Sequence, residues 1–304
     1  MATNPILRFA PSPNGFLHLG HAYSALFTQH WARELGGAFL LRLEDIDTAR
    51  CKPEFAEAIL ADLAWLGLGW PEPVMVQSQR FPIYAAAAQR LRNLRLLYPC
   101  FCSRAEIAAA ASGEDPDGAP LYAGTCRHLS PELVHQRLER GDPVQYRLDG
   151  ARATARTGPL TYTVIQPTPR DRPQIRYAKP ERWGDIVVQR KQTLSSYHLS
   201  VVIDDAAQGI THVTRGRDME ASTDIHVLLQ FLLALPTPNY TFHKLILGAD
   251  GKKLAKSKGS ASLRELRAAG WTAGDVRREL GFAALVIVAR AISAGRETPV
   301  VAGA

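Results

Sequence analysis

Cysteine is scarce in this chain, and its placement is the first sign of chemistry. Of the four cysteines, Cys100, Cys102 and Cys126 fall close together, and Tyr122 or His128 could supply a fourth ligand. Soft thiolates in a closed tetrahedral shell suit a structural Zn²⁺ ion. A disulfide framework is not expected, because three cysteines leave one thiol over and the sequence shows no secretory signal. The alternative for the trio is a set of small buried apolar side chains.

Two histidines form the second candidate site. In residues 11–21, PSPNGFLHLGH, His18 and His21 stand at the start of a predicted helix. Unpaired backbone N–H groups and the helix dipole favour negative charge there, so a triphosphate is a natural ligand. Gly20 has no side chain and would let a nucleotide ring approach the backbone closely. The alternative is that both histidines are helix caps or surface residues.

A lysine-rich loop is the third candidate. Residues 252–259, KKLAKSKG, follow a predicted strand and precede a predicted helix. Lysines on such a loop can close over phosphates and stabilise charge that grows in a transition state. By itself, the same run could be a solvated surface.

These candidates need elements that bring them together. We predict a strand at residues 6–10, a helix at 18–36 and a second strand at 39–43, followed by the acidic run 44–47. Strand, helix, strand is a βαβ unit, so the predicted fold class is α/β with a Rossmann-like parallel sheet. Ligands bind such sheets beyond the carboxyl ends of the strands, where the histidine loop and the acidic run both fall.

The rest of the chain is predicted to continue this alternation. Helices are expected at 54–66, 84–96, 223–235 and 262–282, and strands at 185–189, 201–205 and 244–247. The expected domain organisation is a first half of the core at 1–98, an inserted zinc-binding subdomain at 99–183, a second half of the core with the lysine loop at 184–260, and a helical C-terminal segment with a tail at 261–304.

Composition excludes several classes of protein. The chain has 304 residues, of which 46% are apolar and 21% charged, and this is ordinary for a globular protein and unlike a disordered one. Gln230 and Arg290 interrupt the longest apolar runs, so no membrane span is expected. With no signal segment either, the protein is expected in the cytoplasm.

The net charge of +7 has a local source. Between residues 147 and 192 the sequence carries ten basic and four acidic residues. Phosphate contacts supply most of the non-specific affinity for nucleic acid, so this segment is expected to meet RNA. A solvated basic face kept for solubility is the alternative.

Together the histidines and the lysine loop resemble the paired signatures of class I aminoacyl-tRNA synthetases. HLGH at residues 18–21 is similar to their HIGH motif, and KLAKS at 253–257 to their KMSKS loop, with Leu for Met and Ala for the first Ser. The closer similarity is to glutamyl-tRNA synthetases, through LRLEDIDTAR at 41–50, YHLSVVIDD at 197–205 and RGRD at 215–218. Because the sequence continues for only about 45 residues after the lysine loop, we expect the family's anticodon-binding domains to be missing. It therefore resembles the truncated paralogue family, the glutamyl-queuosine tRNA(Asp) synthetases.

This resemblance implies an enzyme that activates L-glutamate with ATP and Mg²⁺. The glutamate would then be transferred to the queuosine base in the anticodon of tRNA(Asp), and the protein is expected to be a monomer. The family's zinc site, Cys-x-Cys followed by Tyr-x-x-x-Cys, implies one structural Zn²⁺ and favours Tyr122 over His128 as the fourth ligand.

The resemblance also implies roles for individual residues. The implied zinc ligands are Cys100, Cys102, Tyr122 and Cys126. The implied catalytic residues are His18, His21 and Lys256. The implied glutamate-binding residues are Arg8, Phe9, Ala10, Pro11, Ser12, Glu44, Tyr197 and Arg215. The implied ATP-binding residues are His18, Gly20, His21, Lys253, Lys256 and Ser257. In this scheme, arginine forks take the two carboxylates of glutamate and Glu44 takes its ammonium group, whereas an internal ion pair is the alternative for Arg8 and Glu44.

One departure from the family pattern favours the paralogue. Val201 stands where conventional glutamyl-tRNA synthetases usually have Asn, and loss of that amide is expected to weaken glutamate binding. Three rival functions stay open: a truncated enzyme that charges tRNA(Glu), a small-molecule nucleotidyltransferase, and a non-catalytic tRNA-binding paralogue.

Overall fold

The computed structural model describes residues 4–166, 172–247 and 261–282. The strands in these ranges are β1 (Ile6–Phe9), β2 (Ala38–Leu43), β3 (Met75–Val76), β4 (Leu97–Cys100), β5 (Gln145–Leu148), β6 (Thr161–Val164), β7 (Gln174–Tyr177), β8 (Val187–Gln189), β9 (His212–Gly216) and β10 (Asn239–His243). The α-helices are α1 (Leu19–Glu34), α2 (Pro53–Trp65), α3 (Phe81–Asn93), α4 (Arg104–Ala110), α5 (Pro131–Glu139), α6 (Gly150–Thr157), α7 (Tyr197–Ala207), α8 (Ser222–Leu232), α9 (Leu263–Ala268) and α10 (Ala273–Glu279).

The larger sheet of the described residues has the strand order β3-β2-β1-β9-β10-β6-β7. Its pairings are parallel except for the antiparallel edge pair β6–β7. Strand β1 continues through α1 to β2 on one side and pairs with β9 on the other, so the direction of winding reverses at β1. This confirms the α/β class and places the ligand crevice beyond the carboxyl ends of β1 and β9.

A smaller antiparallel sheet has the order β4-β5-β8. Segment 99–183 contributes strands to both sheets, because β5 belongs to the small sheet and β6 and β7 extend the large one. The small sheet also includes β4, which crosses the expected boundary at 98/99, and β8, which lies beyond the expected boundary at 183/184.

Apolar clusters join the two sheets to their helices. One joins α1, α2 and β1 through side chains such as Leu7, Leu26 and Leu63, and helices α9 and α10 pack onto it. A second joins α3, α7 and α8 through side chains such as Leu91 and Leu228. A third cluster packs β9 and β10 against α8, so β1 and β9 are each held by apolar contacts with helices.

Two predicted strands are wrong. Residues 201–205 lie in helix α7, where Ser196 caps the N-terminus by accepting a hydrogen bond from the backbone N–H of Leu199. This helix is buried around most of its surface, so its run of β-branched residues carries no helical period and reads like a strand. Residues 244–247 lie after β10, which ends at His243. The predicted helix at 262–282 is two short helices, separated at Gly270 with φ of 89°.

Several sequence predictions fall outside the described residues. These are Lys253, Lys256 and Ser257 of the lysine loop, together with Arg170 of the basic segment. Among the helices of the described ranges, none combines the length and the apolar character needed to cross a membrane.

Candidate active site

The two predicted histidines form a reciprocal cap at the start of α1. The Nδ1 atom of His18 accepts a hydrogen bond from the backbone N–H of Gly20 at 3.0 Å, and Nδ1 of His21 accepts one from the backbone N–H of His18 at 3.2 Å. A neutral imidazole that accepts through Nδ1 carries its proton on Nε2. Both rings are thereby fixed as Nε2–H donors at a helix N-terminus, which is a favourable place for an anion. A side chain at position 20 would lie only 2.9 Å from the His18 ring, so the site requires glycine there.

A cavity of about 960 Å³ lies beside this helix start. Predicted site residues that line it are Phe9, Ala10, Pro11, Ser12, His18, Gly20, His21, Glu44 and Tyr197. Arg8 and Arg215 are not among its lining residues, and both are buried. The structure therefore brings most of the predicted ATP and glutamate residues of the described ranges to one cavity, with the exception of the two arginines.

A buried ionic network lies next to this cavity. The Nε atom of Arg8 lies 2.8 Å from Asp205 Oδ1, which is also 2.8 Å from Nη1 of Arg42. Nη2 of Arg42 donates to Glu44 Oε1 at 2.9 Å. Burial alone would raise the pKa of Asp205, but the two guanidinium groups outweigh it and hold that pKa below its ordinary value. Burial dominates at Glu44 and raises its pKa. Internal ion pairs thus exist for both Arg8 and Glu44, although not with each other.

Arg215 has a different environment from Arg8. Its Nη1 atom lies 3.0 Å from Nδ1 of His226, and its guanidinium lies 5.4 Å from the ring centre of Tyr240. Within the described ranges it forms no ion pair with a carboxylate. Its charge is therefore not neutralised by the residues around it.

Tyr197 opens helix α7 and lines the cavity. Burial raises the pKa of its hydroxyl, so the group is an O–H donor at neutral pH. Val201, one turn further along α7, is buried in the second apolar cluster. The position of the expected asparagine is thus occupied by a core residue.

The four predicted zinc ligands lie together between the small sheet and α5. The Sγ atoms of Cys100, Cys102 and Cys126 lie within 4.8 Å of one another. The hydroxyl oxygen of Tyr122 lies 3.4 Å from Sγ of Cys100 and 3.7 Å from Sγ of Cys102. Zn–S bonds of about 2.3 Å in a tetrahedron would separate the ligand atoms by about 3.8 Å. The donor set therefore fits a tetrahedral metal ion, and His128 does not belong to the cluster.

Surrounding groups act differently on the members of this cluster. Burial would raise the pKa of the Cys100 thiol, but hydrogen bonds with Tyr122, Arg147 and Gln145 outweigh it and lower that pKa to about 7. The guanidinium of Arg147 lies 3.8 Å from the ring centre of Tyr122. The backbone N–H of Cys126 donates to the Tyr122 oxygen at 2.8 Å. The Cys100 thiolate is therefore stabilised without a metal, whereas burial and the neighbouring thiols raise the pKa of Cys102 to about 11 and also raise that of Tyr122, so a bound cation would have to drive the deprotonation of these two groups.

A family model described as tRNA synthetases class I (E and Q), catalytic domain, matches residues 6–297. The chain belongs to this family. It is 46% identical over 287 residues to the Glutamyl-Q tRNA(Asp) synthetase of Rhodobacter capsulatus, covering 91% of this chain and 100% of that protein. It is also 41% identical to Glutamate--tRNA ligase 2 of Nitrosococcus oceani, covering 87% of this chain and 56% of that protein. These matches make the chain an enzyme of the aminoacyl-tRNA synthetase type and support activity of the glutamate–tRNA ligase type.

The fold of this synthetase agrees with solved members of the family. The crystal structure of a glutamate tRNA ligase from Elizabethkingia meningosepticum, in complex with its amino acid, matches with a TM-score of 0.67 and 28% identity. The match covers 87% of this chain and 58% of that ligase. The resemblance to a class I synthetase core is therefore confirmed.

The basic segment of the synthetase carries less free charge than its sequence suggests. Arg147 is buried and donates to the backbone carbonyl of Asp185 at 2.7 Å. Arg176 pairs with Glu220, and Arg182 pairs with Asp224 at 2.6 Å. Exposed basic residues of the segment that form no ion pair with a described carboxylate are Arg152, Arg156, Arg172, Lys179, Arg190 and Lys191. The expectation that the whole segment faces RNA is wrong for Arg147, because its guanidinium is buried in the fold.

Sequence reasoning missed three residues at the site. Arg42 and Asp205 hold the ionic network together, and His226 contacts Arg215. A signal existed for Arg42, because an arginine in the middle of an otherwise apolar buried strand requires a partner. No local pattern marks His226, which lies in the apolar helix α8.

Proposed function

We propose that this synthetase activates L-glutamate with ATP as glutamyl-adenylate and transfers the glutamate to the queuosine base in the anticodon of tRNA(Asp). The observation that carries the activation step is the cavity that joins the capped histidines of α1 to Glu44 and Tyr197. The acceptor is supported by the relative named Glutamyl-Q tRNA(Asp) synthetase, whose whole length the chain covers.

In the first step an oxygen of the α-carboxylate of glutamate attacks the α-phosphorus of ATP. The bond from that phosphorus to the bridging oxygen breaks, and pyrophosphate leaves. His18 and His21 donate Nε2–H groups to phosphate oxygens, and Lys253, Lys256 and Ser257 are proposed to contact the phosphates from the other side. Mg²⁺ bound with ATP would neutralise phosphate charge.

Glutamate brings two carboxylates and one ammonium group into the pocket. Arg215 is proposed to bind a carboxylate, because it is buried and no carboxylate of the described residues pairs with it. Glu44 is proposed to take the ammonium, and the hydroxyls of Ser12 and Tyr197 to donate hydrogen bonds. Arg8 stays in the proposed set, although Asp205 already occupies two of its nitrogens. The walls are proposed to be Phe9, Ala10 and Pro11.

In the second step a nucleophilic group of queuosine attacks the carbonyl carbon of the adenylate, and AMP leaves. The test offers labelled glutamate and ATP with tRNA(Asp) that carries either queuosine or unmodified guanosine. Labelling confined to the queuosine form is expected. Labelling of both forms, or of tRNA(Glu), would overturn the assignment of the acceptor.

A specific observation also favours a second acceptor, the tRNA(Glu) of conventional ligases. Glutamate--tRNA ligase 2 of Nitrosococcus oceani is 41% identical over 87% of the chain. The chain spans just over half of that relative, 56%. The same labelling assay with tRNA(Glu) separates the two.

We further propose that the cysteine cluster holds one structural Zn²⁺ through Cys100, Cys102, Tyr122 and Cys126. Four protein ligands close the coordination shell, which is typical of structural rather than catalytic zinc. The ion would fix the residues between β4 and α5 against the small sheet.

A further inference from the structure

Arg215 is a buried cation that the fold has left without a counterion in the described residues. Its side chain is 7% exposed, and its Nη1 atom lies 3.0 Å from Nδ1 of His226. A buried charge is costly unless a hydrogen bond or an opposite charge compensates it. Here a neutral ring supplies the hydrogen bond, and no carboxylate of the described ranges supplies the charge.

The hydrogen-bond roles of this contact follow from chemistry. An arginine side chain can only donate, so Nδ1 of His226 must accept and its proton must be on Nε2. Nε2 of His226 lies 3.2 Å from Nδ1 of His198, which therefore accepts in turn. Burial and the Arg215 charge lower the pKa of His226 well below its ordinary value, and burial and Arg215 lower that of His198 to about 4. The hydrogen-bonded series Arg215–His226–His198 thus consists of one guanidinium followed by two neutral imidazole rings.

Packing holds the middle ring in place. His226 is 1% exposed, and its ring centre lies 5.5 Å from that of Tyr197, which lines the cavity. Its ring centre also lies 5.4 Å from that of His198, which in turn meets Trp183 edge-on at 5.5 Å. His226 is therefore unable to rotate away from Arg215 without disturbing two aromatic contacts.

We propose that His226 is a positioning residue for the amino-acid substrate: it aims the Arg215 guanidinium through a neutral ring nitrogen and leaves the full positive charge for a substrate carboxylate. This inference rests on the proposed function, in which Arg215 binds glutamate. A carboxylate at position 226 would instead neutralise Arg215. An apolar side chain there would remove the hydrogen bond that orients the Arg215 guanidinium. A glutamine could replace both bonds, because its amide has an acceptor for Arg215 and a donor for His198.

The test compares His226→Leu, His226→Gln and His226→Glu in glutamate-dependent pyrophosphate exchange and in calorimetric titration with L-glutamate. His226→Leu is expected to raise the KM and Kd for glutamate about tenfold, the usual effect of losing one hydrogen bond to a charged group, with kcat and the KM for ATP within about twofold. His226→Gln is expected to restore most of the affinity. His226→Glu is expected to weaken glutamate binding at least as much as His226→Leu.

His212→Leu is the matched control, because His212 begins the strand that ends beyond Arg215 and bonds only to Thr211 and Asn239 among the described side chains. It is expected to change the unfolding temperature without changing the KM for glutamate. If His226→Leu does not fold, the comparison of the Gln and Glu variants decides, and equal affinities would overturn the inference.

The variant Arg215→Leu distinguishes the role inferred for His226 from the proposed role of Arg215 in glutamate binding. An unchanged KM for glutamate in Arg215→Leu would refute the proposed role of Arg215 itself. A large rise in the KM for glutamate in Arg215→Leu, with no change of that KM in His226→Leu, would refute the role of His226 alone.

Discussion

Asp205 accepts two hydrogen bonds from Arg8, at 2.8 and 3.2 Å, across 197 residues of sequence. The same carboxylate forms an ion pair with Arg42. Helix α7 is therefore connected to both β1 and β2 at the ends of these strands that border the cavity. Asp205 and Glu44 together balance the two arginines. With both carboxylates ionised, this network of four residues has no net charge, and Arg215 is not part of it.

Asp205→Asn is expected to lower the free energy of unfolding by about 3–5 kcal/mol, because it leaves a buried guanidinium without its counterion. Urea denaturation at pH 7 measures this. Asp47→Asn is the control, since Asp47 pairs with Arg50, whose side chain is 69% exposed, and such a pair contributes about 1 kcal/mol or less. Equal losses in the two variants would contradict a structural role for the network.

The sequence was informative where a local pattern determines the structure. The placement of His18 and His21 at a helix start follows from neighbouring residues, and the structure confirms it. The partners of Asp205 are 163 and 197 residues away, so no local pattern could reveal them. Residues 201–205 of helix α7 resemble a strand in sequence for a related reason: burial by α3 and α8 removes the polar face from which a helical period is recognised.

Removal of the proposed zinc ion is expected to disorder the segment around the cysteine cluster. Cys126→Ala should lower the zinc content of the purified protein from about one ion per chain to near zero, because three ligands do not close a structural site. Cys51→Ala is the matched control, since Cys51 lies outside the cluster, and it should keep its zinc. Atomic absorption measures both, and unchanged zinc in Cys126→Ala would exclude this cluster as the site.

Stability is expected to fall as the pH falls from about 6.5 towards 4, because His226 is held neutral in the fold and so is His198. Burial, with Arg215 and Arg190, lowers the pKa of His198 from 6.5 to about 4. At each ring the unfolded chain binds a proton in this window that the folded chain does not, which costs about 1.4 kcal/mol per pH unit.

His198→Gln should flatten that slope in urea denaturation between pH 7 and 5. The control His135→Gln makes the same change at an exposed position on α5. An unchanged slope in His198→Gln would show that this ring does not titrate as described.

Lys256 lies outside the described residues, and its proposed role is tested by rate. Lys256→Ala is expected to slow glutamate-dependent pyrophosphate exchange by roughly two to three decades, since one preorganised charge on the phosphates is removed. Lys179→Ala, at an exposed position away from the cavity, should leave the rate unchanged. A normal rate in Lys256→Ala would remove this lysine from the mechanism.

Some arginines of the basic segment form ion pairs within the described part of the protein and others do not. The salt dependence of tRNA binding should depend on this difference. Arg152 and Arg156 are exposed on α6, whereas Arg176 and Arg182 pair with acids at the start of α8. Only an uncompensated charge releases counterions when it meets a phosphate, so only the first pair should contribute to the salt dependence of binding.

Arg152→Gln with Arg156→Gln is therefore expected to weaken tRNA binding and to reduce the slope of log K against log salt by about 0.7–0.9 for each phosphate that the protein no longer neutralises. Arg176→Gln with Arg182→Gln removes the same formal charge and is the matched control. Fluorescence anisotropy across a salt series measures both. Equal changes in slope would mean that the internal ion pairs open when RNA binds, and no change in either would place the RNA on another surface.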